Sequence, residues 1–146
     1  MDLDVRVKLQ VYRTVAEDGT IPSRAAVARA LACGEDEVRG AFERLRARRL
    51  LFLAPETGEI VMAPPFAASP TPFRVTAGER AWFANCVWDA LGVAAALHRE
   101  VTVSASCGCC GDPMVFEVRR GPPPPQTGVA HFAVPAAHWW DDLVYT

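Results

Sequence analysis

The 146-residue sequence lacks any uninterrupted apolar run of the roughly 18 residues that a membrane-spanning helix needs. It also lacks an excess of either charge, with 15 basic and 17 acidic side chains and a formal net charge of −2. Its overall charge therefore favours neither nucleic acid nor an anionic membrane as a partner. Asp2 and Asp4 stand where a signal peptide has positive charge followed by an apolar segment. We expect a cytoplasmic protein.

Cysteine is also sparse, and its odd count argues against a disulfide framework. In a reducing compartment the 5 cysteines are expected as free thiols or metal ligands. Hydrophobic residues make up 51% of the chain and charged residues 22%, which is typical of a globular protein and excludes wholesale disorder. The length fits one ordinary domain or two very small ones that share a core.

Residues 1–63 have the pattern of a winged-helix-like domain, which is three helices followed by a hairpin. Ser23 is a favourable N-cap for the second helix, and a turn at residues 55–58 separates two short apolar segments, 50–54 and 59–63. The side chains predicted to face inward are Val5, Leu9, Tyr12 and Val15 of the first helix, and Val38, Phe42 and Leu45 of the third.

A winged helix either binds DNA through its third helix or serves as a packing module. Arg44, Arg46, Arg48 and Arg49 cluster at the end of the predicted third helix. Residues 1–63 are nevertheless neutral, because Lys8 and the arginines are matched by an equal number of acids. DNA-binding domains usually present a basic face. The sequence favours packing over DNA binding and leaves both open.

The remainder of the chain predicts a connector and a second domain. Residues 64–75 are rich in proline and predict an extended connector, and residues 76–146 predict an α+β domain. The full expectation is an α+β fold, in which the winged-helix-like three-helix module packs on a small antiparallel sheet with a cysteine-bearing helix.

Several local patterns define the elements of this second domain. The Thr76-Ala77-Gly78-Glu79 segment matches a capping box, which predicts a helix from there to Ala90 or Leu91, with an interruption at Gly92. Strands are predicted at 101–106, 114–118 and 129–134, and a short final helix begins at Pro135. The four prolines at 122–125 predict a stiff exposed loop.

Cys86 and Asp89 form the first group with chemical potential. A spacing of three on a helix brings the two side chains to the same face, where a thiol and a carboxylate can exchange a proton. The thiolate of such a pair is a soft nucleophile or a ligand for a thiophilic metal. The alternative is a buried helix cysteine that acts only as a small apolar side chain.

Cys107, Cys109 and Cys110 form the second group, interleaved with Gly108 and Gly111 in a predicted turn. Zinc would require a second ligand pair, and the candidates are Cys33, Cys86, His98, His131 and His138. Two or three thiolates suffice for a thiophilic ion such as Hg(II) or Cu(I), so this loop suits such an ion better. The predicted metal ligands are Cys86, Cys107, Cys109 and Cys110.

The four tryptophans have two interpretations. Trp82, Trp88, Trp139 and Trp140 are expected in the hydrophobic core, or as the wall of an apolar pocket over the cysteine-bearing helix.

Three segments of the second half resemble the organomercurial (alkylmercury) lyase family in order and spacing. They are Thr71-Pro72-Phe73-Arg74-Val75, then Trp82-Phe83-Ala84-Asn85-Cys86-Val87-Trp88-Asp89-Ala90-Leu91-Gly92, then Val101-Thr102-Val103-Ser104-Ala105-Ser106-Cys107 with Gly111 and Pro113. The similarity covers roughly residues 70–146, and the winged-helix-like half fits the N-terminal part of the family.

The resemblance implies a mechanism and a set of roles. Cys86 is implied as the thiolate that binds the mercury of an organomercurial, and Asp89 as the proton relay to the leaving carbon. Cys107 matches a family cysteine with a supporting, structural role. Mercury enters as substrate and product, cellular thiols are partners, and no organic cofactor is implied.

One feature departs from the family pattern. The family's second catalytic cysteine is expected near residues 139–142, where this sequence has none, so the chain resembles a short, divergent member. Either Cys109 or Cys110 supplies the second thiol, or the lyase reaction is lost. The open alternatives are a thiophilic metal or metalloid-binding protein, a winged-helix metal sensor, and a lyase-fold enzyme that acts on another carbon–heteroatom bond.

Overall fold

A computed structural model describes residues 1–121 and 128–141 as one α+β assembly. The helices are α1 (Leu3–Asp18), α2 (Arg24–Leu31), α3 (Glu35–Ala47) and α4 (Val87–Leu97). The strands are β1 (Phe52–Leu53), β2 (Ile60–Ala63), β3 (Phe66–Ala67), β4 (Phe73–Ala77), β5 (Arg80–Ala84), β6 (Val101–Ser106) and β7 (Pro113–Val118). In this part of the chain the strands form one antiparallel sheet in the order β1-β2-β3-β5-β4-β6-β7. The predicted α+β class is confirmed.

Helices α1, α2 and α3 pack on one another and precede the β1–β2 hairpin, as the sequence predicts. Ser23 caps α2, since its hydroxyl accepts a hydrogen bond from the N–H of Ala26 at 3.2 Å. The predicted inward face of α3 is confirmed, because Val38, Phe42 and Leu45 are all buried.

The predicted inward face of α1 is wrong in part. Val5 and Leu9 are 42% and 44% exposed, and the buried face is instead formed by Asp4, Val7, Val11 and Val15. The predicted face and the buried face both fit a helical period, but the buried face begins with Asp4, whose carboxylate would ordinarily be expected in solvent. Arg44 of α3 makes this burial possible, because its guanidinium donates hydrogen bonds to both carboxylate oxygens of Asp4 at 2.7–3.1 Å.

The segment 64–75 is more than the extended connector that its prolines predict. It contains β3 and the first residues of β4, so the sheet runs without a break from the hairpin of the first half into the second half. Strand β3 pairs with β2 on one side and with β5 on the other. These long-range pairings decide the structure of the segment, and local composition does not report them.

The predicted helix beginning at residue 76 is also wrong. Residues 76–84 belong to the β4–β5 hairpin, in which Ala77 pairs with Arg80 across a two-residue turn. Gly78 occupies this turn with a φ of +62°, a conformation that suits glycine. The Thr-x-x-Glu pattern therefore spans a turn between strands, and the pairing of β4 with both β5 and β6 outweighs it.

Helix α4 begins later and continues through Gly92, where the sequence predicts an interruption. Pro65 explains the glycine, because a Cβ built at residue 92 would lie 3.2 Å from the Cβ of Pro65. Gly92 thus allows a close approach between α4 and the chain just before β3.

The buried hydrophobic residues form two core clusters. The first lies among the three helices and the β1–β2 hairpin, and the second lies between α4 and strands β3 to β6. Helix α1 contributes to both. The Tyr12 hydroxyl donates a hydrogen bond to the carbonyl of Pro64 at 2.8 Å, and the Trp82 indole donates to the carbonyl of Val15 at 2.6 Å. The two halves therefore share a packed interface.

The C-terminal part differs from the prediction in one respect. Strands β6 and β7 confirm the predictions at 101–106 and 114–118, but the described residues between 128 and 134 form no strand. The final helix is a 3₁₀ turn at Ala136–His138, with Pro135 at its N-cap. The prolines at 122–125 and Asp142 lie outside the described residues. Within those residues, no helix combines the length and the apolar character that crossing a membrane requires.

Candidate active site

Cys86 lies at the junction between β5 and α4. Its backbone is extended, with φ −147° and ψ −178°, and it is the N-cap residue of α4. The sequence analysis places Cys86 inside a helix, whereas the structure places it at the helix start, with Asp89 in the first turn. The spacing of three still brings the two side chains together, because an N-cap residue and the third helical residue face each other.

The Cys86 thiol donates a hydrogen bond to the Asp89 carboxylate, with 3.5 Å between Sγ and Oδ2. Both side chains are half-buried. In return, the backbone N–H of Cys86 interacts with the carboxylate of Asp89. The two residues therefore form a closed pair in which one proton can lie on sulfur or on oxygen.

The surroundings favour the protonated form of both groups. Burial raises the pKa of the Cys86 thiol, and the negative charge of Asp89 raises it further. The N–H groups of Asp89 and Trp88 oppose this rise, although neither makes a regular capping hydrogen bond to Sγ. Burial likewise raises the pKa of Asp89, against the hydrogen bonds from Cys86. A pair with raised pKa values holds a proton for transfer.

The pair opens into a mainly apolar pocket of about 260 Å³. Its described lining residues are Phe52, Met62, Pro64, Asn85, Cys86, Trp88, Asp89, Phe132, Trp139 and Trp140. Both halves of the chain contribute, since Phe52 and Met62 come from β1 and β2. Such a pocket with two convergent polar groups is the usual form of a small-molecule site.

Aromatic side chains near the C-terminus form one wall of this pocket. Trp139 lies 6.3 Å from the Trp88 ring and 4.9 Å from the Phe132 ring, measured between centroids. Trp140 stacks on Phe52 at 5.6 Å. Three of the four tryptophans therefore line the pocket, whereas Trp82 is a core residue with 1% exposure.

A second depression of about 360 Å³ lies elsewhere on the sheet and is wider and more open. Its described lining residues are Thr76, Ala77, Gly78, Glu100, Val101, Thr102, Glu117 and Arg119. None of these carries a thiol, and the Cys86–Asp89 pair is absent from it. The smaller aromatic pocket is therefore the candidate active site.

The loop cysteines lie apart from this pocket. Of the described residues that line it, Cys86 is the one cysteine, and Cys109 and Cys110 are not among them. Among residues 1–121 and 128–141, no group of three or more Cys, His, Asp or Glu side chains is placed to hold a metal ion. The predicted four-thiol ligand set is thus not assembled.

The sheet explains this separation. Strand β4 lies between β5, which leads to Cys86, and β6, which leads to Cys107. Two strand spacings amount to about 10 Å. When two sulfurs bind one ion, they lie within about 5 Å of each other, because each metal–thiolate bond is about 2.3 Å long, as it is for zinc.

The arginine cluster of α3 makes contacts within the chain. Arg44 binds Asp4, Arg46 pairs with Glu43 at 2.8 Å, and Arg49 lies 5.2 Å from the ring centroid of Trp140. These contacts agree with a packing role for the first half. The contact of Arg49 also connects the end of α3 with the aromatic wall of the pocket.

Sequence reasoning missed the pocket residues that the first half and the connector supply. Phe52, Met62 and Pro64 carry no motif, and only the continuous sheet brings them to Cys86. Phe132 was predicted within a strand and instead packs on Trp139. An apolar residue at each of these distant positions is a weak sequence signal without the fold.

The fold and the pocket together define an α+β protein that holds a thiol–carboxylate pair among aromatic side chains. The model of the MerB alkylmercury lyase family matches residues 66–146, more than half of the chain. The chain therefore belongs to the alkylmercury lyase family.

A solved structure has the same fold. The mercury-bound form of MerB2 matches with a TM-score of 0.61 and 23% sequence identity, over 82% of this chain. The chain spans 59% of the length of that MerB2 chain. A search of the curated proteins finds no match.

Proposed function

We propose that this protein cleaves carbon–mercury bonds by protonolysis, with Cys86 as the nucleophile and Asp89 as the proton relay. The observation that carries the proposal is the 3.5 Å contact between Cys86 Sγ and Asp89 Oδ2 inside an aromatic pocket. Membership of the alkylmercury lyase family supports the same reaction class.

The first step forms a mercury–sulfur bond. Cys86 Sγ attacks the metal of R–Hg–X, the leaving ligand X departs as an anion, and the thiol proton passes to Asp89. The existing hydrogen bond supports this transfer, because donor and acceptor already face each other. Mercury is a soft ion and prefers thiolate to the oxygen ligands of the carboxylate.

The second step breaks the carbon–mercury bond. A thiolate from a small cellular thiol binds mercury as the second ligand, and the protonated Asp89 donates its proton to the carbon. The electron pair of the carbon–mercury bond becomes the new carbon–hydrogen bond, so R–H leaves and Hg(II) stays between two sulfurs. We assign the second ligand to a solution thiol because the loop cysteines do not line the pocket.

The aromatic wall supports binding of the organic group. Trp88, Trp139 and Phe132 present apolar ring surface next to the pair. A pocket of about 260 Å³ accommodates a small alkyl or aryl group. Apolar walls also exclude water from the protonated carboxylate, which keeps its proton for the carbon.

The test is a single-turnover reaction of the reduced protein with phenylmercury and excess thiol, in which benzene release is measured. We expect benzene from the native protein and none from Cys86→Ser. Cys33→Ser is the matched control, because Cys33 is also half-buried but packs against the core of the three-helix part.

Two results would contradict the proposal. Benzene release by Cys86→Ser at the native rate would exclude Cys86 as the nucleophile. Mercury uptake by the native protein without any benzene would instead indicate a protein that binds thiophilic metals on the lyase fold.

A further inference from the structure

The loop between β6 and β7 is a tight turn that carries three thiols. The N–H of Cys107 donates to the carbonyl of Asp112 at 2.8 Å, and the N–H of Gly111 donates to the carbonyl of Cys107 at 2.9 Å. Gly111 has a φ of +77°, which closes the turn. The two hydrogen bonds close the backbone around Cys109 and Cys110, so the thiols lie at the tip of the β6–β7 hairpin.

Cys107 and Cys110 face each other across this turn. The backbone N–H groups of Cys110 and Cys109 are directed at the Cys107 sulfur, and the thiol of Cys110 donates a hydrogen bond to it. Two sulfurs in contact are close enough to bind one two-coordinate ion.

We propose that Cys107 and Cys110 form a two-coordinate thiolate site for thiophilic metal ions at the tip of the β6–β7 hairpin, which receives Hg(II) from Cys86. The Cys-x-x-Cys spacing is typical of chelation by both sulfurs of a turn. Cys110 is exposed and Cys107 is half-buried, so an ion can reach the pair from solvent. The transfer part of this inference rests on the proposed function, whereas the binding part does not.

The coordination number decides which ions fit. The described residues provide no group of three or more ligands here, so a four-coordinate zinc site is not built. A pair of sulfurs is sufficient for Hg(II) or Cu(I), which accept few, soft ligands. Cys109 lies in the same loop and is exposed, but the thiol in contact with the Cys107 sulfur is that of Cys110.

The sheet register places the hairpin tip at the same end of the sheet as Cys86. Phe73 of β4 pairs with Ala84 of β5, and Arg74 pairs with Ser104 of β6. Residues that follow Ala84 and Ser106 therefore leave the sheet at the same end, with only β4 between them. The pocket lies on the β1–β2 side of Cys86 and the loop on the β6–β7 side, so transfer moves the ion away from the substrate.

Transfer is a ligand exchange without any change of oxidation state. A second small thiolate R″S⁻ binds the mercury held by Cys86 and R′S⁻, the bond to Cys86 breaks, and the ion crosses to the loop as R′S–Hg–SR″, because a separation of two strand spacings keeps one ion from binding both sites at once. The Cys107 thiolate then displaces R″S⁻ from the ion. Cys110 then replaces the small thiol and gives it its proton. In total, Cys86–S–Hg–SR′, the Cys107 thiolate and the Cys110 thiol become Cys107–S–Hg–S–Cys110, the Cys86 thiolate and R′SH.

Binding is tested with Hg(II) chloride on the reduced Cys86→Ser protein, with glutathione as competitor. Mercury retained after desalting gives the amount bound, and ultraviolet absorption reports the mercury–thiolate bonds. We expect retention by Cys86→Ser, and a loss of about 10²–10⁴-fold in affinity when Cys110→Ser is added, because a chelate becomes a single ligand. The matched control is Cys109→Ser, an exposed neighbour in the same turn, which should retain mercury.

If the Cys109→Ser and Cys110→Ser proteins retained the same amount of mercury, the pairing of Cys107 with Cys110 would be overturned. An equal loss of mercury binding in both variants would overturn it as well. Circular dichroism of each variant checks the fold. Substitution of the exposed Cys110 removes no side chain from the core, so the variant should remain folded.

Transfer is tested after one turnover of phenylmercury by the native protein, with a monothiol present. Trypsin cleavage after Arg80, Arg99 and Arg119 separates a peptide with Cys86 from a peptide with the loop. Benzene release with mercury on the loop peptide supports transfer, whereas benzene release with mercury on the Cys86 peptide overturns it. Loop binding of Hg(II) chloride without any benzene release would reject the proposed function and keep the binding site.

Discussion

Replacing Asp89 with asparagine separates mercury binding from proton delivery. Asparagine has nearly the same size and keeps an oxygen that accepts the hydrogen bond from the Cys86 thiol. It cannot carry the proton to carbon. A positioned proton donor contributes about 10²–10⁴-fold to a rate, which corresponds to about 3–5 kcal/mol of transition-state stabilisation. We expect benzene release to fall by that factor while mercury uptake stays close to native.

The pH dependence follows from the directions of the two pKa shifts. The reactive pair holds one proton, a state that exists above the pKa of Asp89 and below that of Cys86. Because burial raises the pKa of Cys86 above its ordinary value of 9.0, the native rate should hold to higher pH than an ordinary thiol allows. Asp89→Asn should lose the acid-side dependence, and its alkaline limit should move to lower pH, because the Asp89 charge that raises the pKa of Cys86 is gone.

Stability provides an independent check on the same substitution. The unfolded chain ionises Asp89 near 3.8 and the folded chain at higher pH, since burial raises its pKa. Between these two pKa values the folded state binds more protons than the unfolded state, so the free energy of unfolding falls as the pH rises. This loss of stability is the cost of ionising Asp89 in the folded state, and it is complete above the folded pKa. Asp89→Asn removes this cost and should raise Tm at neutral pH, with no gain below 3.8.

Asp18→Asn, at an exposed position at the end of α1, is the matched control for both measurements. Benzene release by Asp89→Asn at the native rate would refute the proton relay. A variant that is both slower and less stable at neutral pH would instead mean that Asp89 mainly holds the start of α4 in place.

Two further predictions concern the packing of the fold. Arg44→Ala leaves the buried carboxylate of Asp4 unpaired and should lower the midpoint of urea unfolding more than Arg46→Ala, which removes an exposed pair. Because Arg44 lowers the pKa of Asp4, this difference should be present above pH 3.8 and disappear as the pH falls through the lowered pKa. Gly92→Ala should bring no helix stabilisation, because its Cβ would press on Pro65, and Gly92→Val should cost about 1–3 kcal/mol. A Gly92→Ala variant more stable than native by about 1 kcal/mol, the usual preference for alanine in a helix, would contradict this contact.

The site was predictable where it depends on neighbours in sequence. The Cys86–Asp89 pair needs only a spacing of three, which keeps its meaning whether Cys86 lies inside a helix or caps it. The turn that gathers Cys107 and Cys110 is likewise local, since two hydrogen bonds within six residues form it. The predicted four-thiol ligand set failed because it requires a distance across the sheet.

Sequence alone determined the first three helices, the β1–β2 and β6–β7 hairpins, and the two groups of thiols. Those features rest on helical periods, caps and turns, whose energies depend on residues a few positions apart. Only the tertiary structure decided that segment 64–75 joins the sheet, that Asp4 is buried against Arg44, and that Phe52 and Trp140 close the pocket over Cys86. Each of these depends on strand pairing or packing between distant residues, where local propensity is overridden by the partner that the fold supplies.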